Sequence, residues 1–214
     1  SFAPVLDLAI SSSKVIGDRA FHGSAESVSA LAGAFVTGMG EAGMAATGKH
    51  FPGHGGVIED SHHCLPEDPR SLDALMAADL LPYRDLASRL GGVMTAHVRF
   101  SAIDTTLPTY SYYWIETILR GKLGFKGAVF SDDLTMVGAE TAGEPVDRVR
   151  KALAAGCDMA LVCNDREGVE QVIRKLGTPS PTHPQRLEAM RGNPRRSGVE
   201  LAVLRARLSA ELSV

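Results

Sequence analysis

The segment from residue 47 to residue 62 is the part of the sequence in which ionisable side chains that could take part in catalysis or binding are most concentrated. Five ionisable groups fall within fourteen positions: Lys49, His50, His54, Asp60 and His62. Glycine and proline lie between them, which lets a loop bend sharply and approach a ligand closely. A histidine two residues from a carboxylate, as in Asp60 and His62, is a recurring proton-transfer pair, because the carboxylate fixes the imidazole tautomer and stabilises its cation. Since histidine titrates near neutrality, such a pair can donate a proton and then accept one.

Two other interpretations of this segment stay open. A metal site would draw on His50, His54, Asp60, His62 and His63, but the sequence lacks an H-E-x-x-H or comparable ligand spacing. We therefore predict no metal. The other interpretation is a polar turn with incidental histidines. We favour a functional loop, because loops held by a rigid scaffold commonly carry binding and catalytic residues.

A second candidate is the pair Asp132 and Asp133, which follows the apolar run 128–131. A carboxylate at the end of a strand can act as a nucleophile at a sugar carbon, or can hold a metal or a hydroxyl group. The pair is equally typical of a helix N-cap, for which aspartate is favoured. The local sequence does not decide between these roles.

Two further polar residues are candidates for a binding site. Arg19 lies in the loop after the first predicted strand, and a guanidinium suits multidentate recognition of ligand oxygens. An isolated arginine is more often a surface residue. His97 ends an apolar run, where it either lines a pocket or is a hydrogen-bonded histidine without a chemical role.

These polar groups fall at or near the ends of predicted strands. Strand-like runs alternate with helices of 3.6-residue periodicity, and the predicted strands are 2–6, 45–49, 92–97, 128–131 and 159–163. Helices are predicted after Ser24 and Ser71, after Ser111 with Gly121 as the end, from Pro145 to Gly156, over 169–176, and after a capping box at Ser197 and Glu200.

This alternation predicts an α/β fold with parallel strands joined by right-handed crossovers. Polar strand ends favour a (β/α)8 TIM-type barrel, and the lack of G-x-G-x-x-G after the first strand disfavours an open doubly wound sheet. Because about five of eight strands are predicted, we expect residues 1–214 to form a single catalytic barrel domain that is incomplete and lacks its N-terminal strands. We also expect an exposed apolar edge, which the missing N-terminal barrel segment or an oligomer partner would cover.

The composition is that of ordinary globular material, with 214 residues, of which 44% are hydrophobic and 22% charged. A net charge of −3 and the lack of a basic run give no reason to expect a nucleic-acid partner. No stretch approaches the roughly 20 apolar residues that span a bilayer, so no membrane partner is expected. The three cysteines show no metal-ligand spacing, which is typical of reduced thiols and predicts a cytoplasmic protein.

Six motifs occur in order along the chain: Phe-Ala-Pro-Val-Leu-Asp at 2–7, Ile-Gly-Asp-Arg at 16–19, Lys-His-Phe-Pro-Gly-His-Gly at 49–55, Asp-Ser-His at 60–62, Thr-Ala-His at 95–97 and Phe-Ser-Asp-Asp-Leu at 130–134. Together they resemble the family 3 glycoside hydrolases, and in particular the single-domain bacterial β-N-acetylglucosaminidases of cell-wall recycling. The third and fourth motifs as a pair are the most specific. The family's first three strands, with an Asp-Gln-Glu-Gly-Gly-Arg segment, have no counterpart here.

The resemblance implies roles for the matching positions. Asp132 is expected to be the nucleophile of a retaining reaction through a covalent glycosyl-enzyme, with His62 as acid/base and Asp60 as its partner. The expected sugar-binding residues are Arg19, Lys49 and His50. The usual retaining mechanism pairs two carboxyl groups. A histidine in place of one of them would avoid like-charge repulsion with Asp132, and no metal or organic cofactor is implied.

The expected function is therefore a retaining exo-β-N-acetylglucosaminidase that takes a small carbohydrate, the terminal N-acetylglucosamine of peptidoglycan fragments, as its substrate. One alternative is a phosphorylase with the same nucleophile, because a histidine acid/base lacks the charge that would repel phosphate. Another class is a non-catalytic sugar-binding or structural fragment, which the lack of the first strands favours. We also expect the glycines of 53–56 to permit closure of a loop over the site.

Overall fold

The computed structural model of this chain describes residues 1–10, 13, 15–59, 61, 64–177, 181–193 and 201–211. Four parallel strands form one sheet in chain order: β1 (Thr47–Phe51), β2 (Gly92–Thr95), β3 (Ala128–Asp133) and β4 (Met159–Leu161). The register places Gly92 beside both Thr47 and Ala128, so the first three strands start at one level.

The first predicted strand also runs parallel to β1, although it forms only an isolated bridge between Val5 and Lys49. The backbone N–H of Leu6 donates to the Lys49 carbonyl at 2.7 Å, and that of Thr47 donates to the Ala3 carbonyl at 2.7 Å. All five predicted strands are therefore present with altered bounds, and every adjacent pair is parallel. This confirms the α/β architecture, with the strands forming part of the wall of a TIM-type barrel.

Seven α-helices lie within the described residues: α1 (Ala25–Glu41), α2 (Leu72–Ala77), α3 (Leu81–Leu86), α4 (Pro145–Ala155), α5 (Arg166–Leu176), α6 (Pro184–Glu188) and α7 (Leu201–Glu211). A π-helical segment spans Tyr113–Lys122, and short 3-10 turns span Gly17–Arg19, Pro108–Tyr110 and Val137–Ala142. None of the helices in the described ranges is long and apolar enough to cross a membrane.

The predicted caps account for most of the helix boundaries. Ser24 and Ser71 each accept a backbone N–H in the first turn of α1 and α2, and Gly156, in the left-handed region with φ +115°, ends α4. The prediction for Gly121 is wrong, because this residue lies inside the π-helical segment rather than at its end. The helices α3 and α6 were not predicted; each is at most six residues long and shows too few turns for a periodic pattern. The capping box at 197–200 lies outside the described residues.

The core lies on the face of the sheet that the helices cover. Val93 and Val129 are fully buried there with Phe51, whose ring contacts Trp114 at a centroid distance of 6.0 Å. A smaller apolar cluster on Met94 and Phe130, in the middle strands, packs against residues of and just beyond α6. These contacts hold the strands rigidly from both faces, so that polar groups at their carboxyl ends are placed with precision.

The strand β4 forms one border of the described sheet. None of its three residues is fully buried, and Met159 is 38% exposed. An apolar edge of this kind invites pairing with another strand. What covers it stays a prediction.

Candidate active site

Asp7, which follows the first strand segment, is the buried anchor of the site. Its carboxylate accepts the backbone N–H of His50 at 3.1 Å and the backbone N–H of His54 at 2.7 Å. It also lies 2.7 Å from His50 Nδ1. Burial would raise the pKa of Asp7, but the attraction and hydrogen bond of His50 hold this pKa below its ordinary value. Because a carboxylate only accepts, Nδ1 of His50 carries the proton and Nε2 is the nitrogen left to meet a ligand.

His54 is buried beside this anchor, with 2% of its surface exposed. Its Nε2 lies 2.9 Å from the hydroxyl of Ser61, whereas its Nδ1 has no hydrogen-bond partner among the described residues. Burial lowers the pKa of His54, and the nearby Asp7 carboxylate opposes this only in part. The imidazole is therefore held neutral and acts through its hydrogen bond.

The glycines after β1 serve close packing. Gly53 has φ +153°, and a Cβ on it would lie 2.6 Å from Asp79 Oδ1. A Cβ on Gly55 would overlap the carbonyl oxygen of Leu8. Both positions therefore require glycine for close approach, to a side chain at Gly53 and to the backbone at Gly55. Closure of the loop stays a prediction.

A cluster of charged side chains packs against the turn that follows β1. The guanidinium of Arg70 contacts Asp68 Oδ2 at 2.6 Å and Asp79 Oδ2 at 2.7 Å, and Gly56 packs directly against it. Burial alone would lower the pKa of Arg70, but its hydrogen bonds to the two carboxylates raise it well above its ordinary value. Arg70 therefore stays charged and braces the turn.

Asp132, at the end of β3, is partly buried. Its Oδ1 accepts the backbone N–H of Asp133 at 2.8 Å. Burial would raise the pKa of Asp132, but interactions with the His50 and His97 rings, the hydrogen bond from the Asp133 N–H and the charge of Lys49 hold the pKa below its ordinary value. The carboxylate is ionised at neutral pH, which is the state that a nucleophile at a sugar carbon needs.

Asp133 has a different environment. Its Oδ1 accepts the backbone N–H groups of Thr135 at 2.9 Å and Cys163 at 3.0 Å, and its Oδ2 accepts the Thr135 hydroxyl at 2.8 Å. These bonds tie the end of β3 to the segment after β4. Asp133 is a structural carboxylate. Neither aspartate caps a helix, because the next helical turn begins at Val137 with Met136 at its N-cap position, so the N-cap interpretation is wrong and the nucleophile stays a prediction.

Lys49 and Arg19 bring positive charge to the same end of the sheet. Burial lowers the pKa of Lys49 and the Arg19 guanidinium lowers it further, while Asp132 and Asp7 oppose the change. Arg19 is exposed in the turn Gly17–Arg19 and donates to the Val15 carbonyl at 2.6 Å. The two cations and the Asp132 carboxylate are thus electrostatic neighbours, although they come from different loops.

His97 is fully buried behind Asp132. Its Nε2 lies 3.1 Å from the backbone carbonyl of Asp133, so Nε2 donates, and Nδ1 accepts from the Thr109 hydroxyl at 3.2 Å. The ring stacks on Tyr110 with centroids 6.4 Å apart. Burial lowers the pKa of His97. Both ring nitrogens are used, which matches the interpretation of a hydrogen-bonded histidine.

The structure thus brings together Asp132, Lys49, His50 and Arg19 of the predicted site. Asp60 and His62, the predicted proton-transfer pair, lie outside the described residues. Asp7 and His54 organise the site, and neither was predicted to be a catalytic or sugar-binding residue. A signal was present for Asp7, since it closes a strand as Asp132 does. His54 was counted among the ionisable groups of the loop and in the metal interpretation, but its hydrogen bond to Ser61 is a buried contact that residue spacing does not report.

The described residues hold no group of three or more His, Cys, Asp and Glu side chains placed to bind a metal ion. Asp60, His62 and His63 of the metal interpretation are not among them. No disulfide links the cysteines in the described part of the chain, and the backbone N–H of Cys163 donates to Asp133 Oδ1.

Comparison with known proteins places this geometry in context. The family model of the glycosyl hydrolase family 3 N-terminal domain matches residues 1–190. A β-hexosaminidase of Alkalilimnicola ehrlichii is 56% identical over 195 residues, which cover 91% of this chain and 56% of that protein. A β-hexosaminidase of Pseudomonas aeruginosa is 52% identical over 192 residues, covering 90% of this chain and 58% of that protein. The chain therefore spans somewhat more than half the length of these curated relatives.

Solved structures agree with these matches. The crystal structure of native NagZ from Neisseria gonorrhoeae superposes with a TM-score of 0.82 at 42% identity, over 92% of this chain and 57% of that one. The same gonococcal protein in complex with N-trifluoroacetyl-D-glucosamine gives a TM-score of 0.84 at 43% identity, with the same coverage.

Proposed function

We propose, since this chain belongs to glycosyl hydrolase family 3, that the protein containing it is a retaining exo-β-N-acetylglucosaminidase. The observation that carries the proposal is the environment of Asp132. Its carboxylate closes a barrel strand and is kept ionised by His50, His97 and Lys49. The neighbouring Asp133 is fully engaged by backbone and hydroxyl donors, which leaves Asp132 as the carboxylate able to attack.

In the proposed reaction the Asp132 carboxylate attacks the anomeric carbon of the sugar. The bond to the leaving oxygen breaks as His62 donates a proton to that oxygen, and Asp60 stabilises the histidine in its charged form. A water then attacks the same carbon, His62 takes its proton, and the bond to Asp132 breaks. Two inversions at one carbon leave the β configuration unchanged.

The sugar-binding residues are proposed to be Arg19, Lys49 and His50. The His50 ring is oriented by its bond to Asp7 and presents Nε2 to a sugar hydroxyl. Lys49 supplies a donor near the Asp132 carboxylate, and Arg19 supplies further donors near Lys49. Selection of an N-acetylated sugar is supported by the complex of the gonococcal relative with N-trifluoroacetyl-D-glucosamine.

We further propose that the natural substrate is a peptidoglycan fragment and that the reaction serves cell-wall recycling in the cytoplasm, with consequences for cell shape and division. The support is the similarity to bacterial β-hexosaminidases; in addition, three cysteines without metal-ligand spacing suit a reducing compartment.

The test uses the protein expressed over its full coding sequence. We expect it to release N-acetylglucosamine from aryl β-N-acetylglucosaminides, with the β anomer formed first by NMR and at equal rates in phosphate and non-phosphate buffers. Formation of N-acetylglucosamine 1-phosphate would instead establish the phosphorylase, and a lack of turnover of any aryl glycoside would establish a non-catalytic protein.

The role of His62 has a separate test. His62→Ala should slow substrates with poor leaving groups by about 100-fold or more, because general acid catalysis contributes about 10²–10⁴. An activated aryl glycoside, which needs no protonation, should lose far less. Equal losses for both substrates would show that His62 is not the general acid.

A further inference from the structure

We propose that a cavity lined by Arg99 and Lys151 is a binding site for a small organic anion. Its walls come from the loop after β2, from the 3-10 turn Val137–Ala142 and from the helix α4. None of the described residues of the proposed sugar site lines it. The inference therefore stands independently of the proposed function.

Arg99 holds its place through its backbone, whereas its guanidinium has no partner. The backbone N–H donates to the Pro66 carbonyl at 2.9 Å, and the backbone carbonyl accepts the N–H of Asp68 at 2.7 Å. The residue is only partly exposed and its Nε atom is buried, yet the guanidinium makes neither a hydrogen bond nor an ion pair with any described residue. A buried donor without an acceptor is costly, so this group calls for an explanation.

Two other arginines show how this fold usually satisfies a guanidinium that is withdrawn from solvent. Arg70 contacts two aspartates at 2.6 and 2.7 Å. Arg120 contacts Glu116 at 3.1 Å and Asp158 at 2.9 Å. Within the described ranges Arg99 lacks any such carboxylate, which leaves its charge and its donors for a ligand.

The two acids that are near Arg99 along the backbone do not neutralise it. Glu67 forms a backbone bridge with Arg99, but its side chain is exposed and makes no ion pair with the guanidinium. Asp104, in the loop after β2, accepts the backbone N–H of Thr106 at 2.8 Å and the hydroxyl of Ser111 at 2.5 Å. Both of its oxygens are thus directed to donors of its own loop.

The cavity itself has the size and the polarity of an anion site. Its volume is about 510 Å³, within the range of about 300–1,000 Å³ that small-molecule sites occupy. Lys151 lines it as a second cation and donates one Nζ hydrogen to the Ala142 carbonyl at 2.8 Å, so two hydrogens are left for a ligand. Thr105 and Thr106 add hydroxyl groups, and no carboxylate occurs among the described lining residues.

Tyr110 forms a fixed wall of the cavity. Its ring stacks on His97 with centroids 6.4 Å apart, and its hydroxyl donates to the Ala139 carbonyl at 3.2 Å. Burial raises the pKa of this hydroxyl, and the nearby Arg148 opposes the change. A third cation therefore adds to the positive potential on this side of the molecule.

The remaining wall is apolar, which specifies the rest of the ligand. It consists of flat or small side chains, namely Leu107, Tyr110, Tyr112, Ala142, Ala154 and Ala155. A flat apolar body can pack among these side chains while its charged group meets Arg99 and Lys151. A guanidinium binds carboxylates and phosphates with the same paired donors, so the ligand class is a small carboxylate or phosphate ester with an apolar body.

The experiment measures binding by titration calorimetry to the protein expressed over its full coding sequence. The probes are benzoate and phenyl phosphate, with benzyl alcohol as a neutral molecule of similar size. The wild type should bind at least one anion, and should bind benzyl alcohol at least about tenfold more weakly, because the charged hydrogen bonds are lost. The anion that binds more tightly identifies the charged group.

Arg99→Gln should weaken binding of that anion by about tenfold or more. It should keep the melting temperature within about 2 °C of the wild type, because no partner of the guanidinium is lost. Lys151→Gln should also weaken binding, and it keeps the test open should Arg99→Gln not fold. Arg166→Gln, at an exposed arginine of α5 that pairs with Glu170, is the matched control and should bind as the wild type does.

Four results would overturn the proposal. They are a lack of binding of both anions, equal binding of benzyl alcohol, unchanged binding in Arg99→Gln, and displacement of the anion by N-acetylglucosamine, which would place it in the sugar site. A fall in melting temperature well beyond 2 °C in Arg99→Gln would also contradict it, because the guanidinium would then have a partner within the protein. Turnover of aryl glycosides by the same protein tests the proposed function separately.

Discussion

Asp7 Oδ2 lies 2.7 Å from His50 Nδ1, although the two residues are 43 positions apart in the chain. The contact joins the end of the first strand segment to β1 and leaves the opposite ring nitrogen of His50 directed away from the carboxylate. Asp7 thus links the packing of the barrel wall to the orientation of His50, a proposed sugar-binding residue.

Replacement of Asp7 by asparagine should be strongly destabilising. One amide N–H₂ would face the N–H donors of His50 and His54, so a buried charged acceptor is exchanged for an unsatisfied donor. We expect a loss of about 3 kcal/mol in the free energy of unfolding, measured by urea denaturation. Asp85→Asn, at an exposed pair with Arg84, should change it by less than about 0.5 kcal/mol. Similar losses of unfolding free energy in both variants would show that the buried Asp7 carboxylate contributes no more to stability than an exposed one.

Asp132 and Asp133 should separate function from stability. Asp132→Asn should remove nearly all hydrolysis while sugar binding is kept, because the covalent step is lost. Asp133→Asn should keep far more activity and lower the unfolding free energy by about 1–3 kcal/mol, because it breaks the bonds to Thr135 and Cys163. Mass spectrometry of protein quenched during turnover should find the sugar on the peptide with Asp132. Equal loss of turnover in the two variants would leave Asp132 unsupported as the nucleophile.

Acid should destabilise the protein through its buried histidines. Burial lowers the pKa of His97 in the folded state, whereas the unfolded chain has a histidine pKa of about 6.5. Below about pH 6.5 the unfolded state binds a proton that the folded state does not, so stability falls as pH falls, by up to about 1.4 kcal/mol per pH unit for each such group. Above about pH 7 this contribution is constant.

His97→Gln tests this directly, since an amide can still donate to the Asp133 carbonyl. Unfolding free energies at about pH 7.5, 6.5 and 5.5 should fall less steeply in the variant than in the wild type. Parallel curves would show that the pKa of His97 is the same in the folded and the unfolded state.

Two glycines should respond to alanine with opposite signs. Gly55→Ala places a Cβ on the Leu8 carbonyl and should destabilise the protein by several kcal/mol, on the order of other overpacked sites. Gly38→Ala, on α1 with nothing within 4 Å of the new Cβ, should stabilise it by about 0.5–1 kcal/mol. The melting temperatures of the two variants, compared with that of the wild type, test both signs. A harmless Gly55→Ala would mean that glycine serves flexibility there.

Local sequence patterns were sufficient to predict the strands and the longer helices of this fold. Strand runs, helix periodicity and serine caps are properties of adjacent residues, so β1 to β4 and the longer helices were predicted with small errors in their bounds. The parallel arrangement followed from their alternation, because crossovers of one hand leave few topologies. Short helices such as α3 were not predicted, because six residues carry too little periodic signal.

By itself, the sequence determined the barrel architecture and the family. The resemblance also gave the predicted site residues, which are Asp132, His62, Asp60, Arg19, Lys49 and His50. Only the tertiary structure decided which aspartate of β3 is engaged by Thr135 and Cys163, that Asp7 binds both His50 and His54, and that Gly53 and Gly55 lie at close contacts. The physical reason is that these properties depend on buried hydrogen bonds and charges between segments tens of residues apart. Residue type and spacing predict which face of a helix or strand is buried. They do not predict which polar group from another strand will form a hydrogen bond with a residue on that face.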